Sequence, residues 1–242
     1  SYIYLVPAFA EMFYTKIIKN VKESGKESAF NKLIVVSNTL RRIGIDLRKL
    51  FFKSIHKAFG GRLRKIVCGG APIRPEIGKF FDDIGISLIN GYGITEFSPL
   101  VSANHDKFND YNTAGIKLPC IDWKVDSPND EGIGEICIKG DIVMLGYYKQ
   151  PEKTAEVLKE GWFYTGDYGY INDKQQLVIT GRKKNLIVLN NGKNVYPEEI
   201  EGYIQGIDYI AEVVVRGIAD EKGDEKSLMA EVFLSEERTP QQ

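Results

Sequence analysis

The sequence has few of the residues that mark several common classes of protein. It contains only three cysteines, Cys68, Cys120 and Cys137, and they are widely spaced among 242 residues. An odd and scattered set argues against a disulfide framework or a zinc site, and it indicates a reducing, cytoplasmic compartment. No apolar run approaches the roughly 20 residues that a membrane-spanning helix needs, and no signal peptide is visible.

A net charge of one sign is also missing. The chain carries 32 basic and 33 acidic residues, so its formal net charge is -1. Such a balance produces no field that would recruit nucleic acid or an anionic membrane. Lysine and arginine do cluster between residues 41 and 65. A solvated helical face is the favoured interpretation of this cluster. Peripheral contact with the inner face of a membrane, or with a polyanionic substrate, is the alternative.

The first part of the chain has the pattern of an α/β fold. Residues 1 to about 60 are predicted to be helical, and a strand over Arg64–Cys68 leads into two glycines. A helix follows from Pro75 to Gly85, and its predicted apolar face consists of Ile77, Phe80, Phe81 and Ile84. A second strand covers 86–89. Strand, turn, helix and strand within so few residues predict a βαβ unit whose two strands are parallel.

From about residue 110 the pattern changes to short alternating runs, such as 135–139 and 177–180, separated by turns. This predicts an antiparallel, barrel-like subdomain. A small α+β domain then begins, with a turn at 190–192, a helix from Pro197 and a strand at 213–215. The predicted apolar face of that helix consists of Ile200, Tyr203, Ile204 and Ile207. We therefore expect part of a large α/β domain over 1–181 and an incomplete, mobile domain over 182–242.

The segment NGYGITE, Asn90–Glu96, follows the second strand of the βαβ unit. Its paired glycines let a ligand approach the backbone, Tyr92 offers a flat ring, Thr95 a hydroxyl and Glu96 a carboxylate. A nucleotide with Mg²⁺ requires these groups: a ring that stacks on the base, a donor for phosphate and a hard oxygen ligand for the metal. Taken alone, however, the segment is better explained as an ordinary βα turn.

The segment CGGAPI, Cys68–Ile73, ends the first strand of the same unit. If the two strands are neighbours, Gly70 and Ala71 lie beside Gly91 and Gly93 at one sheet edge, where ligands bind in open α/β sheets. Two turns of small residues would then form a slot for a planar ring. Close packing of a helix on the sheet explains these small residues equally well.

Two later segments carry charged residues suited to a sugar: GWFYTGDYGYI at 161–171 and TGRKKNLIVLNNGKNVYPEEIE at 180–201. Asp167, in a glycine-flanked turn, could accept hydrogen bonds from the vicinal hydroxyls of a ribose, and Arg182 could donate to the same ribose. Hydrogen bonds of charged groups contribute roughly 1.5–3 kcal/mol each. A turn-capping aspartate and a surface salt bridge are the alternatives.

In their order along the chain, five segments resemble the adenylate-forming acyl-CoA synthetase superfamily: GGAP, YGITE, GEICIKGDIVMLGYYKQPEKT, GWFYTGD and GRKKNLIVLNNGKNVYPEEIE. Details such as GGRLRKIVCGGAPI are similar to long- and medium-chain fatty acid:CoA ligases. The resemblance implies that ATP and a fatty acid give acyl-AMP and pyrophosphate, with Mg²⁺ as cofactor, and that CoA then displaces AMP. It implies small-molecule partners and no nucleic acid.

The resemblance also implies roles for single residues. Tyr92 would stack on adenine, Thr95 would contact the AMP phosphate, Glu96 would hold Mg²⁺ and Lys184 would be the hinge of the mobile domain. The positions implied in nucleotide binding are Gly70, Ala71, Asn90, Gly91, Tyr92, Gly93, Thr95, Asp167 and Arg182.

Two expected parts of the superfamily have no counterpart in the sequence: the phosphate loop, and the terminal catalytic lysine, which residues 223–226 do not match. Both ends of the chain also look cut. We therefore expect this chain by itself to be inactive or severely impaired. The alternatives to a fatty acid:CoA ligase are a nucleotide- or acyl-binding module without ligase activity, and an acyl-AMP ligase that loads a carrier protein.

Overall fold

The computed structural model describes residues 1–106, 109–207, 209–219 and 225–234. They belong to two compact units, Ser1–Pro119 and Cys120–Gln242. The sequence-based boundary between residues 181 and 182 remains a prediction. Residues 223 and 224, compared above with the superfamily's lysine segment, lie outside the described ranges.

The first unit combines five helices with one five-stranded sheet. Its elements are β1 (Tyr2–Leu5), α1 (Pro7–Glu23), α2 (Glu27–Arg42), α3 (Arg48–Phe51), α4 (Lys53–Ala58), β2 (Lys65–Cys68), α5 (Pro75–Asp83), β3 (Ser87–Gly93), β4 (Leu100–Ala103) and β5 (Ile116–Lys117). The strand order is β1-β2-β3-β4-β5. Strands β2 and β3 are parallel, as predicted for the βαβ unit. Strand β1 is parallel to β2, whereas β4 and β5 are antiparallel to their neighbours.

The prediction that residues 1 to about 60 are all helical was wrong at its start. Residues Tyr2–Leu5 form β1, which pairs in parallel with β2 from Tyr2↔Lys65 to Leu5↔Cys68. Aromatic and β-branched residues suit a strand, but the partner lies about 60 positions along the chain, so no local pattern reveals the pairing. The proline at the first position of α1 has a fixed φ that suits a helix start, and the helical prediction holds from there.

Helix α5 positions β2 and β3 because its apolar face packs on them. Ile77, Phe80, Phe81 and Ile84 are all buried, as the helical spacing predicts. The helix begins at Pro75 and is followed by Gly85, which has φ +87°. The core of this unit includes Ile66 and Leu88 from the two strands, Phe30 from α2 and Phe52 from the turn between α3 and α4. The carboxyl ends of β2 and β3 are therefore held side by side.

Most of the second unit is antiparallel. Its elements are β6 (Ile121–Asp126), β7 (Gly134–Gly140), α6 (Pro151–Val157), β8 (Leu158–Lys159), β9 (Trp162–Ile171), β10 (Leu177–Arg182), β11 (Ile187–Val188), β12 (Asn194–Val195), α7 (Pro197–Gln205), β13 (Ile210–Ala219) and β14 (Glu225–Leu234). The main sheet has the order β10-β9-β7-β6, and β8 pairs with β9. The antiparallel prediction is confirmed; within the described ranges the sheet is open, with no closed barrel.

Helix α7 packs on β13 with only half of its predicted apolar face. Ile200 and Ile204 lie against the buried Ile210, Val213 and Val215. Tyr203 is 83% exposed and Ile207 is 40% exposed, so the prediction for these two was wrong. Helix α7 has only nine residues and packs on a two-stranded sheet. Only a narrow part of its surface is therefore covered, and Ile200 and Ile204, four positions apart, occupy that part.

Three basic residues of the cluster between 41 and 65 are paired with carboxylates. Arg41 and Arg48 both contact Asp82, and Arg48 also contacts Asp46. Lys65 is paired with Asp106. These ion pairs support the interpretation of a solvated face. None of the helices in the described ranges has the length and apolarity needed to cross a bilayer.

Candidate functional site

The two glycine segments of the first unit are neighbours, as the sequence predicts. Strands β2 and β3 pair in register with Cys68 opposite Asn90. A Cβ atom added to Gly69 would lie 3.2 Å from the carbonyl oxygen of Gly91. Gly70 has φ +87° and no atom within 4 Å of an added Cβ, and Ala71 is exposed. The Gly70–Ala71 backbone is therefore accessible at the carboxyl end of β2.

Gly91 and Gly93 have a packing role that the sequence did not reveal. They do not form a βα turn; they are the last residues of β3, which pairs with the antiparallel strand β4. A Cβ at Gly91 would lie 2.9 Å from the carbonyl oxygen of Ser102, and one at Gly93 would lie 1.8 Å from that of Pro99. Both glycines are thus required by the approach of the β4 backbone, and whether they also admit a ligand remains a prediction.

Asn90 carries an unsatisfied group in this region. Its side chain donates to the carbonyl oxygen of Thr113 at 3.3 Å, and its residue is 8% exposed. Its amide oxygen is buried and has no hydrogen bond partner among the described residues. Because a buried acceptor without a donor costs roughly 1–3 kcal/mol, this atom is suited to a donor on a ligand. An exocyclic amino group of a nucleotide base is such a donor.

Thr95 and Glu96 lie in a one-turn 3₁₀ helix, Thr95–Phe97, that connects β3 with β4. The side chain of Phe97 is fully buried and anchors this connection. Thr95 is exposed and Glu96 is half-buried. The next residue, Ser98, has φ +53°, an uncommon conformation for a residue other than glycine.

Metal binding at this connection would depend on a single carboxylate. Throughout the described part of the chain, no three His, Cys, Asp or Glu side chains are grouped so that they could hold a metal ion. Mg²⁺ is commonly held by one or two carboxylates together with substrate phosphates rather than by a cage of protein ligands. The position of Glu96 fits that mode.

In the second unit, Asp167 and Arg182 are brought together. They are cross-strand partners on β9 and β10, and the Arg182 Nε atom lies 2.9 Å from Asp167 Oδ1. Asp167 was predicted in a turn but lies inside β9, because the aromatic run continues as a strand through the glycines. The Asp167 side chain is 4% exposed and that of Arg182 is 51% exposed, so the pair consists of a fixed acceptor and an accessible donor.

Lys184 is exposed and sits in the middle of a second 3₁₀ helix, Lys183–Asn185. Glu198, near the start of α7, accepts hydrogen bonds from the Arg182 backbone at 3.3 Å and from the Asn185 side chain at 2.6 Å. One carboxylate therefore holds the residues on both sides of Lys184. A role of Lys184 as a hinge remains a prediction.

Sequence reasoning missed Glu135, on β7. Its carboxylate accepts hydrogen bonds from the Gly166 backbone at 3.1 Å and from Lys183 Nζ at 2.5 Å. The hydrogen bond that Lys183 donates to Glu135 raises the pKa of Lys183. In the sequence, 135 is the only charged position in the otherwise apolar run 134–138. Because carboxylates are rarely buried unless they are paired, this pattern could have identified the residue.

Comparison with known proteins agrees with these features. The family model described as AMP-binding enzyme matches residues 1–148, more than half of the chain. The chain belongs to the AMP-binding enzyme family. The resemblance on which the sequence analysis relied is therefore confirmed at the level of the family.

Two relatives illustrate the similarity in sequence. A long-chain-fatty-acid–CoA ligase of Mycobacterium bovis is 34% identical over 171 residues, which are 71% of this chain and 28% of that ligase. A chloroplastic long-chain-fatty-acid–acyl-carrier-protein ligase of Arabidopsis thaliana is 37% identical over 201 residues, 76% of this chain and 27% of that protein. The chain thus spans less than a third of the length of either ligase.

Among solved structures, the O-succinylbenzoate–CoA synthetase of Bacillus subtilis in complex with AMP matches with a TM-score of 0.66 at 25% identity. The match covers 78% of this chain and 40% of that synthetase. Together with the family model it establishes the adenylate-forming fold for the matched part of the chain.

Proposed function

We propose that the full-length protein is an ATP-dependent fatty acid:CoA ligase and that this chain contributes residues that bind AMP. The observation that carries the proposal is the buried, unpartnered amide oxygen of Asn90 beside two adjacent glycine segments. Tyr92 stacks on adenine, and Asn90, Gly91, Gly93 and the Gly70–Ala71 backbone line its edge. The relatives named as long-chain-fatty-acid–CoA ligases support the choice of substrate class.

The reaction has two steps. A carboxylate oxygen of the fatty acid attacks the α-phosphorus of ATP, the bond to pyrophosphate breaks, and acyl-AMP forms. The sulfur of CoA then attacks the acyl carbon and AMP leaves. Because a carboxylate is already a nucleophile, the protein's task is to neutralise phosphate charge and to align the reactants. Thr95 donates its hydroxyl proton in a hydrogen bond to the AMP phosphate, and Lys184 is the hinge between the steps.

The residues present fit Mg²⁺ at one position. Glu96 would supply a carboxylate oxygen, and the ion, when bound, neutralises charge on the nucleotide phosphates.

In the second unit, Asp167 accepts hydrogen bonds from the ribose hydroxyls and Arg182 donates to the same sugar. The low exposure of Asp167 keeps its carboxylate in one orientation, which favours a bidentate contact with a vicinal diol.

A second acceptor for the acyl group is favoured by one specific observation. The relative that is 37% identical is named as a ligase for acyl carrier protein. The two functions share acyl-AMP formation and differ only in the thiol that attacks it, which is CoA in one case and a phosphopantetheine arm on a carrier protein in the other. The rest of the assignment is the same for both.

A substrate experiment tests these proposals. The full-length protein is incubated with ATP, Mg²⁺ and saturated fatty acids of increasing length, and pyrophosphate is measured without any thiol. CoA or a phosphopantetheinylated carrier protein is then added, and thioester formation is measured. Thioester with CoA supports the first function, and thioester with the carrier alone supports the second. If no fatty acid yields pyrophosphate, both ligase functions are wrong and a binding module is favoured.

The nucleotide contacts are tested separately by calorimetry with AMP. Tyr92→Ala removes the stacking ring, and Asp167→Ala removes the ribose acceptor. Each loss is expected to weaken AMP binding, for Asp167→Ala by about ten- to a hundredfold if bonds of roughly 1.5–3 kcal/mol are lost. Tyr203→Ala is the control, because Tyr203 is 83% exposed on α7 and has no role in the proposal. Unchanged affinity in both test variants would refute the site.

A further inference from the structure

Among the described residues of the second unit, Glu135 is the most deeply buried carboxylate that the proposed function does not use. Its side chain is 9% exposed at the start of β7. A buried carboxylate is costly unless hydrogen bonds and a counter-charge compensate its lost hydration. Glu135 has both: one oxygen accepts from the Gly166 backbone, and the other is paired with Lys183. The two partners come from β9 and from the residue directly after β10.

The bond to Gly166 repairs a break in the sheet. Strands β7 and β9 pair as Glu135↔Tyr168 and then as Cys137↔Tyr164, so residues 165–167 stand opposite Ile136 alone. Such a bulge leaves backbone groups without ladder partners, and buried groups of this kind must be satisfied in another way. Here side chains supply the partners: Glu135 accepts from the Gly166 N–H, and the Thr165 hydroxyl accepts from the Asp167 N–H.

The Thr165 hydroxyl also donates to the carbonyl oxygen of Ile136 at 2.8 Å. Two successive residues of β7, Glu135 and Ile136, therefore form hydrogen bonds to the bulge. Asp167 is the last residue of that bulge. Gly166 has φ +70°, which suits a glycine in a bulge. The two backbone bonds restrain the main chain at Asp167, and the contact with Arg182 Nε at 2.9 Å restrains its carboxylate.

The bond to Lys183 acts on the other member of the pair. Lys183 directly follows Arg182, which is the cross-strand partner of Asp167. With Lys183 held by Glu135, the end of β10 is fixed at the position from which Arg182 reaches Asp167. One carboxylate thus fixes the residue before Asp167 and the residue after Arg182.

We propose that Glu135 is a positioning residue that aligns Asp167 and Arg182 for the ribose of the nucleotide. It does not touch the ligand and acts only through its bonds to Gly166 and Lys183. The proposal rests on the proposed function, in which Asp167 and Arg182 bind the ribose hydroxyls. It assigns a reason for the glutamate in the segment GEICIKG, for which the sequence analysis named no role.

The test compares AMP with 2′,3′-dideoxy-AMP, which lacks the ribose hydroxyls. Dissociation constants for both are measured by calorimetry for the full-length protein, Glu135→Ala, Glu135→Gln and Lys183→Met. Glu152→Ala is the matched control, because Glu152 is an exposed glutamate of the same unit on α6. Glu135→Ala is expected to weaken AMP binding about tenfold, because it removes two charge-assisted bonds. Its affinity for the dideoxy nucleotide should change less than about twofold, because that ligand makes no ribose hydrogen bond.

The conservative variant separates positioning from folding. Glu135→Gln keeps an acceptor for Gly166 and loses the charge that pairs with Lys183, so its loss of AMP affinity should be smaller than that of Glu135→Ala. An equal loss for AMP and the dideoxy nucleotide would overturn the proposal, because a general structural defect affects both ligands. Wild-type affinity in Glu135→Ala, while Asp167→Ala weakens AMP binding, would also overturn it. If the unaltered protein binds both nucleotides equally, the proposed ribose contact itself is wrong.

Discussion

The glycines at the end of β3 provide a direct test of how this part of the fold is built. A Cβ at Gly93 would lie 1.8 Å from the carbonyl oxygen of Pro99, 2.8 Å from its carbonyl carbon and 3.0 Å from the Cα of Leu100. Ordinary contact begins near 3.4 Å. All three atoms belong to the backbone, so no side-chain rotation can relieve the overlap, and β4 would have to move away from β3.

We therefore expect Gly93→Ala to destabilise the first unit by an amount near the upper end of the roughly 1–3 kcal/mol that overpacking costs. For a chain of this size, a loss of about 2–3 kcal/mol lowers the Tm by about 5–10 °C. Gly91→Ala, with its closest contact at 2.9 Å to the carbonyl oxygen of Ser102, should show a smaller loss. Thermal unfolding followed by circular dichroism measures both.

Gly202→Ala is the matched control. Gly202 lies in α7, and no atom is within 4 Å of an added Cβ. Because alanine favours a helix by about 1 kcal/mol over glycine, this variant should be more stable than the parent. If Gly93→Ala unfolds at the parent's temperature and only loses AMP affinity, the packing explanation is refuted, and the glycine would be required for ligand approach instead.

Two further predictions concern titrating groups. Cys120 is exposed, whereas burial raises the pKa of Cys68 to about 11 and that of Cys137 to about 12. Iodoacetamide at pH 8 should therefore modify only Cys120 in the native protein. Peptide mass spectrometry measures the labelling, and rapid modification of either buried thiol would contradict the prediction. The Arg48 hydrogen bond lowers the pKa of Asp46 from 3.8 to about 2, so the stabilisation it provides is present above pH 3.8 and is lost as the pH falls through about 2. Because Asp46 is half-exposed, Asp46→Asn should cost at most about 1 kcal/mol at pH 7 and nothing near pH 1.5; a pH-independent loss would refute the ion pair as its cause.

The parts of the fold that were predicted correctly depend on local patterns. The face of α5 follows from the spacing of its apolar residues, and the start and end of that helix follow from Pro75 and Gly85. The parallel pairing of β2 with β3 follows from the short connection through one helix, because such a unit has few alternative topologies. Strand β1 was missed because its partner is distant in sequence.

For the candidate site too, some features follow from local sequence and others depend on contacts between strands. Five segments in their order along the chain indicated the adenylate-forming family through their resemblance to it, whereas NGYGITE taken alone did not. The sequence also suggested which side chains could contact the ligand, since a flat ring, a hydroxyl and a carboxylate are properties of single residues. These properties do not depend on how the chain folds.

Only the tertiary structure decided what holds those side chains in place. It showed that Gly91 and Gly93 are required by the β4 backbone, that Asp167 lies at a bulge rather than in a turn, and that Glu135 joins β7 to both Gly166 and Lys183. Each of these depends on backbone and side-chain atoms that different strands bring within about 3 Å of one another, where hydrogen bonds form and backbone overlaps exclude a side chain. No local pattern encodes such distances.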